Sequence, residues 1–169
     1  MLGENGAGKT TLMNCLAGVY RPDEGHIRLD GQEMRFSAPS DALSAGIGMV
    51  HQEFRLVATF TVAENVVLGA APTFIDTSQI EQQVGALADR FGFEAEPNRP
   101  VWQLSMGERQ RVEILKALWR DARVLILDEP TAVLTPQEAV ELGEVLRRMV
   151  EDGRSVIFIS HKLDEVVSF

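Results

Sequence analysis

Two runs of apolar residues with no polar interruption stand in the second half of the chain, Val124-Leu125-Ile126-Leu127 and Val156-Ile157-Phe158-Ile159. Continuous, β-branched-rich runs of this length predict strands buried on both faces of a parallel sheet. Between them, Thr135-Pro136-Gln137-Glu138 supplies an N-cap, a proline at the first helical position and a capping-box glutamate. Ala139, Leu142, Val145, Leu146, Met149 and Val150 then recur at helical spacing, and Gly153 closes the segment. The pattern over 124–159 is strand, helix, strand, a βαβ unit. Upstream, His26-Ile27-Arg28-Leu29 running into Asp30-Gly31 predicts a strand entering a hairpin, and Ile47-Gly48-Met49-Val50 predicts a further short strand. The middle reads as helical: Thr61 and Glu64 form a capping box, and Ile80, Val84, Leu87, Ala88 and Phe91 share one helical face. Ser105 and Glu108 repeat the box ahead of Val112, Leu115, Ala117, Leu118 and Trp119. The expected plan is α/β: a parallel-sheet core, a small antiparallel element and a helical insertion over about 55–105.

Composition narrows the class of partner. The 169 residues carry 16 Lys+Arg against 25 Asp+Glu, a formal charge of −9, which argues against coating nucleic acid or an anionic membrane surface. The single cysteine, Cys15, excludes an intramolecular disulfide and is expected to pack against the sheet. His26 and His51 match no motif and read as surface residues. No apolar run approaches the ~18 residues of a membrane span, and the first residues lack the basic and apolar segments of a signal peptide. The expectation at this level is an acidic, soluble, intracellular domain.

The chemistry begins at Gly3. Residues 3–10, GENGAGKT, match GxxxxGKT, in which glycines let successive backbone N–H groups converge on a phosphate chain while a lysine reaches the terminal phosphates. The helix expected from Thr10 to Ala17, with Gly18 as its stop, aims its positive N-terminal end at the same anion. Lys9 would hold the β- and γ-phosphates and the Thr10 hydroxyl would ligate Mg²⁺. Asp128-Glu129 directly follows the first buried strand, at the carboxyl end where α/β sheets bind ligands. Asp128 would hold Mg²⁺ directly or through water, and Glu129 would orient and deprotonate an attacking water. Without the phosphate loop, the acidic pair reads equally well as a solvated turn before Pro130.

The phosphate loop, Gln52 after a short strand, LSMGERQ at 104–110, LILDEP at 125–130 and His161 after another strand occur in that order. This series resembles the nucleotide-binding subunit of an ABC transporter, over essentially the whole chain. The resemblance implies a P-loop NTPase of ABC ATPase type with a core of about 1–54 and 106–169 and a helical subdomain of about 55–105. It implies ATP and Mg²⁺ as ligands, with Gly3, Asn5, Gly6, Gly8, Lys9, Thr10 and Thr11 around the phosphates and Thr10, Gln52 and Asp128 at the metal. Glu129, Gln52 and His161 would act on the attacking water and γ-phosphate. Ser105 and Gly107 would complete the site of a mate domain across a two-ATP sandwich. Ser105 and Glu108 are equally explained as a helix cap, and Gln52 as a polar loop residue.

Two departures stand out. The usual LSGGQ reads SMGE here from Ser105, so Glu108 is assigned a structural role, because a carboxylate beside a γ-phosphate would repel it. The aspartate that the family carries after the acidic pair is absent from Ala132-Val133-Leu134-Thr135. The wording of 50–69, 103–118, 128–138 and 158–166 resembles the importer branch for simple sugars and nucleosides, in which the ATPase is commonly a tandem of two domains. The chain then corresponds to an incomplete first domain, marginally stable and weakly nucleotide-binding alone, since only Met1 and Leu2 precede the phosphate loop. The implied partners are transmembrane permease subunits, a second ATPase domain and, indirectly, a substrate-binding lipoprotein, at the cytoplasmic face of the membrane and without nucleic acid. The rival expectations are a soluble ABC-type ATPase acting on nucleic acid or ribosomes, and a module that binds ATP without hydrolysing it.

Overall fold

A computed structural model describes residues 6–70 and 76–160. In chain order the elements are α1 (Lys9–Leu16), β1 (Ile27–Leu29), β2 (Gln32–Met34), α2 (Pro39–Ser44), β3 (Ile47–Val50), α3 (Val62–Val67), α4 (Thr77–Phe91), α5 (Met106–Trp119), β4 (Val124–Asp128), α6 (Pro136–Glu151) and β5 (Ser155–Ile159). A 3-10 turn, Val101–Gln103, precedes α5.

The three longer apolar strands form a parallel sheet in the order β3-β4-β5, with Val50 opposite Leu127 and Asp128 opposite Ile159. β4 lies in the centre, and its Leu125, Ile126 and Leu127 are fully buried. The two faces of the sheet sort the apolar residues by strand alternation. Ile47, Ile126 and Ile159 pack on one face with Met13 of α1, Phe36 and Ala42. Val50, Leu125 and Leu127 pack on the other, with α3, α4, α5 and α6. β1 and β2 pair antiparallel as the small separate hairpin.

The helices begin where the capping residues stand. Thr61, Ser105 and Thr135 each accept a hydrogen bond from the backbone N–H three residues on, and Glu64, Glu108 and Glu138 reach back to complete the box. α4 is capped by Asp76 and ends at Gly92 in the left-handed region, with Val84, Ala88 and Phe91 buried as the periodicity predicts. Two details differ from expectation. α2 was not foreseen, because its six residues are too few to show a helical period. On α1 the buried residues are Lys9 and Met13, whereas Cys15 is only half-buried.

Candidate functional site

Three loops carry the candidate site residues. The first enters α1 through Gly6 and Gly8, at φ 84° and 81°. A Cβ at either would meet nothing within 4 Å among the described residues, and it is the left-handed conformation that calls for glycine there. Gly8 is the N-cap of α1 and offers no side-chain oxygen to the first turn, leaving that end to its backbone N–H groups. Lys9 is buried to 7% exposure despite its charge, whereas Thr10 and Thr11 are exposed.

The second loop leaves β4. Asp128 is buried to 8% exposure, and strand alternation sets it on the face of Ile126, the face that α1 covers through Met13. Glu129 follows at φ 48°, a left-handed conformation that costs a branched or acidic side chain roughly 1 kcal/mol. Its N–H donates to the Ile159 carbonyl at 3.0 Å, which carries the β4–β5 ladder one residue past the strand and holds the turn.

The third loop leaves β3, and its register beside β4 brings residues 51–52 to the same end as Asp128. Gln52 is exposed there. His51, expected at the surface, is half-buried instead. Burial and the Arg55 guanidinium hold its imidazole below the ordinary 6.5, against the opposing pull of the Asp128 carboxylate. The parallel register therefore brings Gln52, Asp128 and Glu129 to one sheet end, and α1, which carries Lys9 and Thr10, packs through Met13 on the sheet face of Ile126. Gly3, Asn5 and His161 lie outside the described residues.

Ser105 and Gly107 are elsewhere, at the N-terminus of α5. The Ser105 Oγ accepts from the Glu108 N–H at 3.2 Å, and Glu108 Oε2 accepts from the Ser105 N–H at 2.7 Å. Arg99 donates to Glu108 Oε1 at 2.6 Å and to the Gln103 carbonyl at 2.8 Å. Burial raises the Glu108 carboxyl, but the Ser105 N–H and hydroxyl and the Arg99 guanidinium together hold it below 4.5.

Past Gln52 the chain is gripped by side chains of two helices. The N–H of Arg55 donates to the buried Glu113 carboxylate, and the Lys116 ammonium donates to the Arg55 carbonyl at 2.9 Å. Two residues on, Asn65 of α3 accepts from the Val57 N–H at 2.7 Å and donates to the Val57 carbonyl at 3.0 Å. The sequence analysis missed these residues. The available signal was Glu113, a charge inside the run Val112-Glu113-Ile114-Leu115, but nothing in it names a partner 58 residues away. Ala17, Leu43, His51, Glu113, Lys116 and Arg120 line a cleft of about 170 Å³ beside this loop.

Among the described residues no group of three or more His, Cys, Asp or Glu side chains could hold a metal ion. No helix among the described residues is long and apolar enough to cross a membrane.

Known proteins share these features. A family model described as ABC transporter matches residues 1–132. The glucose import ATP-binding protein TsgD13 of Haloferax volcanii is 47% identical over 197 residues, an alignment covering 98% of this chain and 36% of that protein. The guanosine import ATP-binding protein NupO of Bacillus subtilis is 49% identical over 160 residues, covering 93% of this chain and 31% of that protein. The chain thus spans about a third of the length of these two relatives. The structure of cbiO1 from Clostridium perfringens, part of the ABC transporter complex cbiONQ, superimposes with a TM-score of 0.82 at 32% identity, covering 98% of this chain and 67% of that one.

Proposed function

Because the chain belongs to the ABC transporter family, we propose that it forms the nucleotide-binding part of an ATPase that powers import of a simple sugar or nucleoside. The observation that carries this reading is that a glycine-turned helix bearing the buried Lys9 packs through Met13 on the sheet face of Ile126, two residues before Asp128 in the central strand that ends in the acidic pair Asp128–Glu129. The names of the relatives, glucose and guanosine import proteins, support the solute class.

ATP is the substrate, and the chain's work is to position it and neutralise its charge. Gly3, Asn5, Gly6, Gly8 and Thr11 shape the phosphate loop, whose backbone N–H groups and helix end attract the anion. Lys9 sits on the first residue of α1 and reaches the β- and γ-phosphates. Thr10, Asp128 and Gln52 are the groups that would hold Mg²⁺, which when bound offsets charge on the phosphate oxygens. Glu129, fixed by its backbone bond to Ile159, takes the proton of the attacking water, with Gln52 and His161 aligning that water and the γ-phosphate. Ser105 and Gly107 of a mate domain close the sandwich from the far side, their helix N-terminus offering a second anion site.

In this reading residues of about 1–54 and 106–169 make the core and about 55–105 the helical subdomain. Partners are permease subunits, a second ATPase domain and, through the permease, an extracytoplasmic substrate-binding lipoprotein. The cleft beside the Gln52 loop receives a permease segment at the cytoplasmic face of the membrane. Its apolar wall at Val19, which is 43% exposed, and its rim of Arg55, Lys116 and Arg120 suit an amphipathic helix with an acidic edge.

A soluble ABC-type ATPase working on nucleic acid is disfavoured by the charge of −9. The test of the main reading is Glu129→Gln in the full-length protein assembled with its permease. ATP is expected still to bind while steady-state turnover falls by at least about 100-fold. Turnover near the unmodified level would remove Glu129 as the base.

A further inference from the structure

The segment after β3 is anchored at its two ends to different elements. Val50 belongs to the sheet, paired with Leu127. Arg55 and Val57 belong to the helices, each with its own N–H and C=O both held by side chains, from α5 and α3 respectively. Gln52 and Glu53 are exposed between these anchors. Gln52 stands three residues before Arg55, within about 10 Å of chain. On the other side, Glu113 lies on the same continuous 14-residue helix that Ser105 caps, about 12 Å along its axis. A side chain that captures both polar groups of one residue fixes that residue's φ and ψ. Here the capture needs two residues one helical turn apart, an acceptor at 113 and a donor at 116, which face the same way on α5.

We propose that Glu113 and Lys116 are positioning residues for ATP hydrolysis: by gripping the Arg55 backbone they tie the Gln52 loop to α5, so that Gln52 and the helix end at Ser105 and Gly107 move together. A buried carboxylate is costly to keep unless it is satisfied, and the Arg55 N–H is the hydrogen bond that Glu113 makes. The grip acts on the backbone of the loop rather than on the Arg55 side chain, so no rotamer of Arg55 stands between the loop and the helix. The side chain of Arg55 is exposed and is not the gripped part. The proposal rests on Gln52 serving the nucleotide site, as described above.

The test uses the full-length protein assembled with its permease, with ATP as the probe and turnover, KM and nucleotide binding measured separately. Glu113→Leu removes the acceptor at similar volume and Lys116→Met removes the donor, whereas Glu113→Gln and Lys116→Arg keep them. Glu113→Leu and Lys116→Met are each expected to lower kcat by about tenfold with KM for ATP within about twofold, and the double variant to be little worse than either alone, since both act on one residue. The conservative variants are expected to retain most of the turnover. Amide exchange at residues 53–57 is expected to quicken in Glu113→Leu and Lys116→Met. Because Lys116 is only half-buried, its variant keeps the test open should Glu113→Leu fail to fold. Equal loss in the conservative and disruptive variants, KM rising in step with falling kcat, or unchanged turnover in Lys116→Met would each overturn the proposal. Gln52→Ala run in parallel separates the two readings: if it leaves turnover intact, the role of Gln52 has failed, whereas a loss there with none in Lys116→Met means that the grip alone has failed.

Discussion

The backbone of Gly107 approaches Glu138 so closely that a Cβ on Gly107 would lie 2.3 Å from the Glu138 Oε1 and 3.1 Å from its Cγ. The contact joins the first turn of α5 to the first turn of α6. It gives Gly107 a role inside its own chain, beside any role toward a mate domain. Glu138 is itself committed, since its Oε2 accepts from the Thr135 N–H and hydroxyl, both at 2.9 Å. Those bonds, with the Gly107 N–H, hold its carboxyl below 4.5.

Gly107→Ala is therefore expected to displace Glu138 and open the α6 capping box, a cost of about 1 kcal/mol in denaturant unfolding that cancels the gain in helix propensity or outweighs it. In a Glu138→Ala background the same substitution meets no carboxylate, and helix propensity takes over. There it is expected to be neutral or stabilising by up to about 1 kcal/mol. The same destabilisation in both backgrounds would show that the Glu138 contact is not the cause.

Asn65 is fully buried and makes three hydrogen bonds to the backbone of Val57 and Thr61. Asn65→Leu keeps the branched shape but strands those groups away from water. A loss of about 2 kcal/mol or more in chemical unfolding is expected, because an unmade buried hydrogen bond costs more than a made one contributes. A change under about 0.5 kcal/mol would mean the loop resolvates freely.

Glu108 predicts a pH signature. Its carboxyl is held below 4.5 in the folded chain, so its contribution to stability is present above 4.5 and is lost as pH falls through the lower folded value. The difference in melting temperature between the unmodified protein and Glu108→Gln is expected to be constant from pH 7 to about pH 5 and to shrink below pH 4.5. A difference that persists undiminished in acid would assign the effect to shape rather than charge.

Lys9→Met keeps the aliphatic stem that fills the buried position and removes the ammonium. ATP affinity, read by equilibrium binding to the full-length protein, is expected to fall at least about tenfold with unchanged helix content. Undiminished affinity would detach Lys9 from the phosphates.

Much of this molecule was legible before any coordinate. The strand at 124–128 announced itself as an unbroken apolar run because β4 is central and buried on both faces, whereas the equally apolar run at 156–159 forms a strand that is only half-buried over 156–158. The starts of α3, α5 and α6 were legible because a capping box is a relation between residues three apart. The proposed phosphate loop and the Asp128–Glu129 pair are likewise read from consecutive residues, the kind of signal that a sequence carries without tertiary contacts. Tertiary structure alone decided the order β3-β4-β5, which face Asp128 takes, the half-burial of His51, the approach of Gly107 to Glu138 and the grip of Glu113 and Lys116 on Arg55. Each of these joins segments far apart in the chain, and each depends on where packed helices bring a side chain. Periodicity and capping are local and survive in one dimension, whereas a hydrogen bond across 58 residues exists only once the layers have closed.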